Sequence, residues 1–432
     1  MLSGFIDGTA LVSEAQGRVS ELLNTAIRNN THVRVRFAPT LDATLAAGIV
    51  VYFLEAGGLR TIARPEPWLE GLEKEEPTML VGLPIPSGSP PEGVYLYIGS
   101  RDVKRVPLRS KVVIKETSTT AIMARIFSHP LTSRRYPRSK YSAIIAAYSL
   151  GLDVGEQRSL SGLEKKIAEE LAKDNVVYSL RPVFLLPRLP SETVKRALSL
   201  SLLPYLPGVS GREEEAARVL EERGIPPDST YDYFGTAENM AGLFDLLLGL
   251  MRTRYSRRTS DLKGMVAGES YYLKDGGGAM WDLREASVVL EALLDSAGVA
   301  PILGYVCMGE TTDPQLYSFY LESVFPQVVA IVEKASKEPG FLEELYSQKR
   351  VRVWGFKWGG RPPLSLIRKI LYSMGLVGSR DSVVLEEGGK LYVTYQQAYM
   401  LGHVFTEPFW SCAEPVDEVW LRLDGPECLV KG

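Results

Sequence analysis

The chain has 432 residues, 45% hydrophobic and 23% charged, with 49 Lys and Arg against 52 Asp and Glu for a net charge of −3. That length suits two or three domains with substantial cores, and the near-balance of charge excludes a globally basic nucleic-acid binder while leaving local basic patches open. Cys307, Cys412 and Cys428 share no CxxC spacing, so neither a disulfide framework nor a zinc module is expected.

In chain order, residues 12–30 predict a helix with Val19, Leu22, Leu23 and Ile27 on one face. A β-branched strand at 33–37 follows, then a small-residue helix from Thr44 to Glu55 that stops at Gly57-Gly58. Further strands are expected at 60–63, 79–83, 94–98 and 111–114, and Ser118 or Thr119 is placed to cap a helix over 120–127. Such alternation implies a mostly parallel sheet with helices on its faces. Residues 140–225 read as helical, with Pro182, Pro187 and Pro190 marking a junction, and 237–254 form another apolar helix. A second α/β unit is expected from about Gly268, with a helix at 282–294, a strand at 302–308 and a long helix at 314–334. Strands at 351–354, 382–385 and 391–394 complete it.

No apolar run reaches the roughly 18 residues of a membrane span, and the first eight residues lack the positive n-region of a signal peptide. A cytoplasmic protein with no membrane partner is expected. Plentiful Arg and Glu beside sparse Asn and Gln are the composition of a thermophile.

In an α/β enzyme, catalytic groups belong at the carboxyl ends of the strands. Here the turn after the strand at 33–37 holds Pro39, Thr40, Leu41, Asp42, Ala43 and Thr44, with one acid and no histidine. The three histidines, His32, His129 and His403, are far apart and have no acid at ligand spacing, so scattered structural positions are expected of them.

Three segments together resemble the archaeal branch of the RecJ-like DHH phosphoesterase family. Ser201-Leu-Leu-Pro-Tyr-Leu-Pro-Gly208 is similar to its S-x-x-P-Y-x-P-G segment. Val266 to Leu273, followed by Trp281-Asp-Leu-Arg-Glu-Ala286, is similar to the run that opens its DHHA1 domain; Leu294-Asp-Ser-Ala-Gly298 stands where that family usually has N-A-C-G-R. The strand, turn and helix at 33–58 resemble the first DHH motif. The resemblance implies an α/β fold divided into a DHH-like domain at 1–190, with a mostly parallel sheet, a helical connector at 191–265 and a smaller α/β DHHA1-like domain at 266–432.

The departures from the family pattern concern its chemistry. Family enzymes carry His-x-Asp-x-Asp-Gly in the first motif, which supplies imidazole and carboxylate ligands to two manganese ions. With Ala47-Gly48 as the register mark, those ligand positions fall on Pro39, Leu41 and Ala43, none of which binds a metal. The name-giving Asp-His-His falls near Lys115 and Glu116, and only Glu116 is a ligand type. Asp153 lies near another family aspartate, while Gly402-His403 lacks the Ala-Ala-Gly that accompanies the family's late Gly-Gly-His. No catalytic residue, metal or cofactor is therefore expected.

Degenerate members of this branch resemble the eukaryotic cell division cycle protein 45, an inactivated DHH-fold subunit that works beside MCM and GINS in the replicative helicase. The implied role is a non-catalytic replication factor that docks the GINS complex and MCM helicase, with single-stranded DNA as a further partner. The rival reading is a divergent manganese-dependent 5′–3′ exonuclease or small-nucleotide phosphodiesterase with a rearranged carboxylate site; a third is a binder that keeps a nucleotide without cleaving it.

Three basic clusters interleave aromatics, the pattern that holds single strands by charge and stacking. They contain Arg134, Arg135, Arg138 and Lys140 with Tyr136 and Tyr141; Arg252, Arg254, Arg257 and Arg258 with Tyr255; and Arg350 and Arg352 with Trp354. The plainer alternative for each is a solvated basic edge. Gly276-Gly-Gly278 lacks the Gly-Lys-Ser/Thr ending of a phosphate loop and reads as a turn. Asp282, Arg284 and Glu285 are expected to make a structural ion pair.

Overall fold

The computed structural model describes residues 8–69, 72, 76–85, 93–101, 106, 110–127, 137–154, 158–255, 259–274, 279–308 and 312–430. Helix α1 (Gly8–Asn29) turns Val19, Leu22 and Ala26 into the core. Strand β1 (Val33–Phe37) follows and then α2 (Leu41–Ala56), which starts three residues earlier than the apolar spacing predicts because the Thr40 hydroxyl accepts the Ala43 N–H at 3.2 Å. Strands β2 (Thr61–Pro65), β3 (Thr78–Val81), β4 (Tyr95–Gly99) and β5 (Lys111–Val113) complete a parallel sheet in the order β2-β1-β3-β4-β5. All four residues of β3 are buried, as expected of an inner strand covered on both faces. Helices α3 (Thr119–Ile126), α4 (Arg138–Leu150) and α5 (Gly162–Lys173) cover it, with Ser118 capping α3.

The region read as helical at 140–225 contains, at the proline junction, a strand, β6 (Val177–Phe184), paired antiparallel with β7 (Ala267–Leu273). The register shifts between Leu180 and Val183, where Pro182 stands, and a bulge is where a proline without an N–H is tolerated in a strand. Between the two strands lie α6 (Val194–Leu200), α7 (Glu213–Glu221), α8 (Ala237–Arg252) and α9 (Thr259–Val266).

After β7 comes α10 (Leu283–Ala297), capped by Asp282, and then α11 (Ala300–Cys307), where a strand was expected. The apolar run is helical: Pro301 sits in its first turn, and Ile302, Tyr305 and Val306 are buried at i, i+3 and i+4. Packing enforces this, because Val306 lies over Gly48 of α2, where a β-carbon would come within 2.8 Å. The long helix expected at 314–334 is α12 (Asp313–Phe319), a π turn at 320–324, and α13 (Phe325–Lys337). Pro326, with no N–H to donate, accounts for the irregular turn.

The second sheet is mixed: β8 (Glu343–Gln348), β9 (Val351–Lys357), β10 (Ser382–Glu387), β11 (Lys390–Thr394), β12 (Ala413–Pro415) and β13 (Trp420–Leu423), in the order β12-β13-β11-β10-β9-β8. Only β9 and β10 run parallel, joined through α14 (Leu364–Met374), and α15 (Tyr395–Leu401) follows β11 directly. Cys412 and Cys428, with Cα atoms 5.9 Å apart, form a disulfide, a pairing that their spacing in the sequence does not indicate. No helix among the described residues is long and apolar enough to cross a membrane.

Candidate functional site

At the carboxyl edge of the parallel sheet, the turn after β1 buries Pro39, Leu41 and Ala43, the last two at 0% and 1% exposure. Lys115 and Glu116 lie in the turn after β5, exposed to solvent. The acid that remains, Asp42, is 7% exposed and already saturated. Its carboxylate accepts the N–H groups of Thr119 at 2.8 Å and Thr120 at 2.9 Å and the Thr120 hydroxyl at 2.8 Å. Glu164, from the first turn of α5, accepts the Ser118 N–H at 2.6 Å and the hydroxyls of Thr117 and Ser118 at 2.7 and 3.0 Å. Two carboxylates from different helices thus share the open N-terminus of α3, where orphan donors and the helix dipole favour negative charge. Burial pushes both carboxyls above their ordinary range, and the hydrogen bonds oppose that rise.

Helix α15 closes this edge. Gln396 accepts the Leu41 N–H at 3.0 Å, supplying a partner to the first turn of α2. The Tyr399 hydroxyl donates to the Gly82 carbonyl just after β3 at 3.0 Å, and the Tyr395 hydroxyl donates to the Pro67 carbonyl at 2.8 Å. Arg101, after β4, donates to the Met400 carbonyl at 3.0 Å and stacks on Tyr399 and Phe405 with its guanidinium 5.2 and 5.1 Å from the ring centres. His403 follows α15 and is half-buried. Burial, reinforced by Arg368, pushes its imidazole down to about 4, so it is neutral at pH 7. Among the described residues, no group of three or more His, Cys, Asp or Glu is placed to hold a metal ion.

The other expected site residues separate into interior and surface. Arg138 and Lys140 are buried, which removes them from a nucleic-acid surface. The Arg138 guanidinium is bidentate to Asp313 at 2.9 and 3.2 Å and donates to the Tyr305 carbonyl; Lys140 pairs with Glu170 at 3.2 Å. Arg134, Arg135, Arg257 and Arg258 lie outside the described residues, as do His129 and Gly276 to Gly278. Arg252 and Arg254 are exposed at the end of α8, and Arg350 and Arg352 at the β8–β9 turn, where the Arg352 guanidinium lies 5.4 Å from the Trp354 ring centre. Asp153 is buried against Arg284 at 2.8 Å and Arg158 at 3.0 Å. Glu285 pairs with Arg188 at 2.7 Å, so the 282–285 trio makes the structural ion pairs expected of it. Glu164, Gln396 and Tyr399 escaped sequence reasoning; the only local signal was a Gln pair inside an otherwise apolar helix.

These features define an α/β protein with a parallel sheet and a smaller mixed sheet, whose strand-end cleft is filled by its own C-terminal part. No family model matches the chain, and no curated protein matches it. Among solved structures it is similar to CDC45 from Entamoeba histolytica, with a TM-score of 0.62 at 11% identity over 97% of both chains. The fold is therefore CDC45-like over nearly the whole chain. It also aligns with exonuclease RecJ bound to manganese at a TM-score of 0.37 and 14% identity, over 87% of this chain and 80% of that one, a superposition too loose to carry an argument.

Proposed function

We propose that the chain is a non-catalytic replication factor, an accessory subunit of an archaeal replicative helicase that docks the GINS complex and MCM. The observation that carries the reading is the sealed strand-end cleft. Apolar side chains stand at the expected ligand positions, and Asp42 and Glu164, the buried acids beside them, are engaged as caps of α3. Activating water there with two metal ions would require these carboxylates to exchange helix donors for metal. The CDC45-like fold supports the same reading. Single-stranded DNA fits best at Arg350, Arg352 and Trp354, where exposed cations flank an aromatic ring, with Arg252 and Arg254 as a second patch.

The test is gel filtration with light scattering of this protein mixed with GINS from the same organism. A stable co-eluting complex is expected. Separate elution of two folded proteins, together with manganese-dependent degradation of single-stranded DNA by the pure chain, would overturn the reading in favour of a divergent exonuclease.

A further inference from the structure

The mixed sheet ends in an open strand. β8 pairs with β9 alone, and among the described residues no other backbone group hydrogen-bonds to it. The short turn Pro426–Leu429 approaches β8 from β13, four strands away, and makes no hydrogen bond to it. Glu343, Glu344, Ser347 and Gln348 are exposed, whereas Leu345 packs over Gly355, where a β-carbon would come within 2.5 Å of its side chain.

Such an edge presents a row of unpaired donors and acceptors, and proteins commonly blunt it with charge. Here the charge does not act alike on every incoming strand. The segment reads Glu343-Glu-Leu-Tyr-Ser-Gln-Lys-Arg350, acidic where β8 begins and basic at the two-residue turn where it ends. Lys349 and Arg350 are exposed like the two acids. Among the described residues Glu343, Lys349 and Arg350 form no ion pair, and Glu344 reaches Arg352 only at 3.8 Å. A parallel strand of the same sequence would set like charges side by side. An antiparallel copy, related by a two-fold axis between Tyr346 and Ser347, sets the acidic end of each strand against the basic end of the other, so one segment supplies both halves of the match.

We propose that β8 is an edge for self-recognition: two copies of the chain pair β8 with β8, antiparallel about that axis, and join their mixed sheets into one. The register shift between Glu344 and Tyr346 bends the strand, which confines close pairing to its centre and leaves orientation to the charged ends. The contact is one strand pair with its charges, so association is weak and depends on concentration. Arg350 also belongs to the patch proposed above for single-stranded DNA, but self-association is measured without DNA, so failure of one reading leaves the other standing.

The experiment is sedimentation equilibrium of the full chain from micromolar to sub-millimolar concentration, repeated on variants of the exposed charges. A monomer–dimer equilibrium is expected in the native chain. Glu343→Lys with Glu344→Lys, and separately Lys349→Glu with Arg350→Glu, are each expected to weaken it by about tenfold or more, because the two-fold axis makes every reversal act twice. The chain carrying all four reversals is expected to dimerise like the native one, and an equimolar mixture of the two double variants to form a mixed dimer. Circular dichroism checks that every variant is folded. A monomer at all concentrations would overturn the proposal, leaving the edge blunted or kept for a strand of another protein. So would a dimer that the double variants leave unchanged, or a fourfold variant as weak as the doubles.

Discussion

The carboxyl edge of the parallel sheet and the cavity between α4, α10 and α14, lined by Arg158, Arg284, Glu291, Arg368 and Lys369, are both polar, yet they differ in how their charged groups are met. At the sheet edge the charged groups are met by neutral donors: Asp42 and Glu164 take the donors of α3, Gln396 takes a donor of α2, and Tyr399 donates to the carbonyl of Gly82, while the Thr44 and Thr119 hydroxyls are buried without a partner. Around the cavity charged groups meet one another, Asp153 with Arg158 and Arg284 and Glu291 with Lys369, and a donor of Arg284 and an oxygen of Glu291 are both buried without a hydrogen-bond partner. A region whose charged groups are already held by the neutral donors of a neighbouring helix is a structural joint.

The largest expected effect tests that joint. Asp42→Ala leaves the N–H groups of Thr119 and Thr120 buried without an acceptor, and each such orphan costs roughly 1–3 kcal/mol. A loss near 3 kcal/mol in urea unfolding is expected, with no change when manganese is added to either protein. A stability-neutral Asp42→Ala, or a native protein that gains stability from manganese, would mean the carboxylate is available and the contrast fails. Tyr399→Phe is milder: it removes one hydrogen bond from the Gly82 carbonyl and should cost about 1 kcal/mol in the same assay, because the ring packing stays.

A pH-dependent effect sharpens the charged side. Asp295 lies one turn beyond Glu291 on α10 and accepts the Ser365 N–H at 2.8 Å. Burial, reinforced by the charge of Glu291, pushes its carboxyl up to about 7. Because this folded value lies above the unfolded one, the folded chain holds an extra proton between them. Its stabilising contribution is complete below the unfolded value and is lost as pH rises through about 7. Thermal unfolding followed across that range should show stability falling with pH in the native protein, and Asp295→Asn should flatten the slope. An identical pH profile for the two proteins would remove Asp295 as the cause.

What the sequence by itself determined is local. Apolar alternation placed β1 and the other strands of the parallel sheet within a few residues, a side-chain oxygen at Ser118 marked a helix start, and Pro39, Leu41 and Ala43 offered no ligating side chain. The first two signals belong to the backbone period and to caps within four residues, and the third to side-chain chemistry, so none needs a distant partner. Tertiary structure decided what each polar residue does. Arg138 and Lys140 read as a basic patch until Asp313, 175 positions away, and Glu170 drew them inward. Asp42 reads as a lone acid in a turn until α3 supplies its donors, and Gln396 means nothing until α2, 355 residues earlier, presents the Leu41 N–H. The same holds for 300–307, where an apolar run fits a buried strand or a buried helix equally, and contact with Gly48 favours the helix. Periodicity states which face of an element is apolar. Which charge meets which, and whether any is left unanswered, depends on contacts that only the folded chain brings within reach.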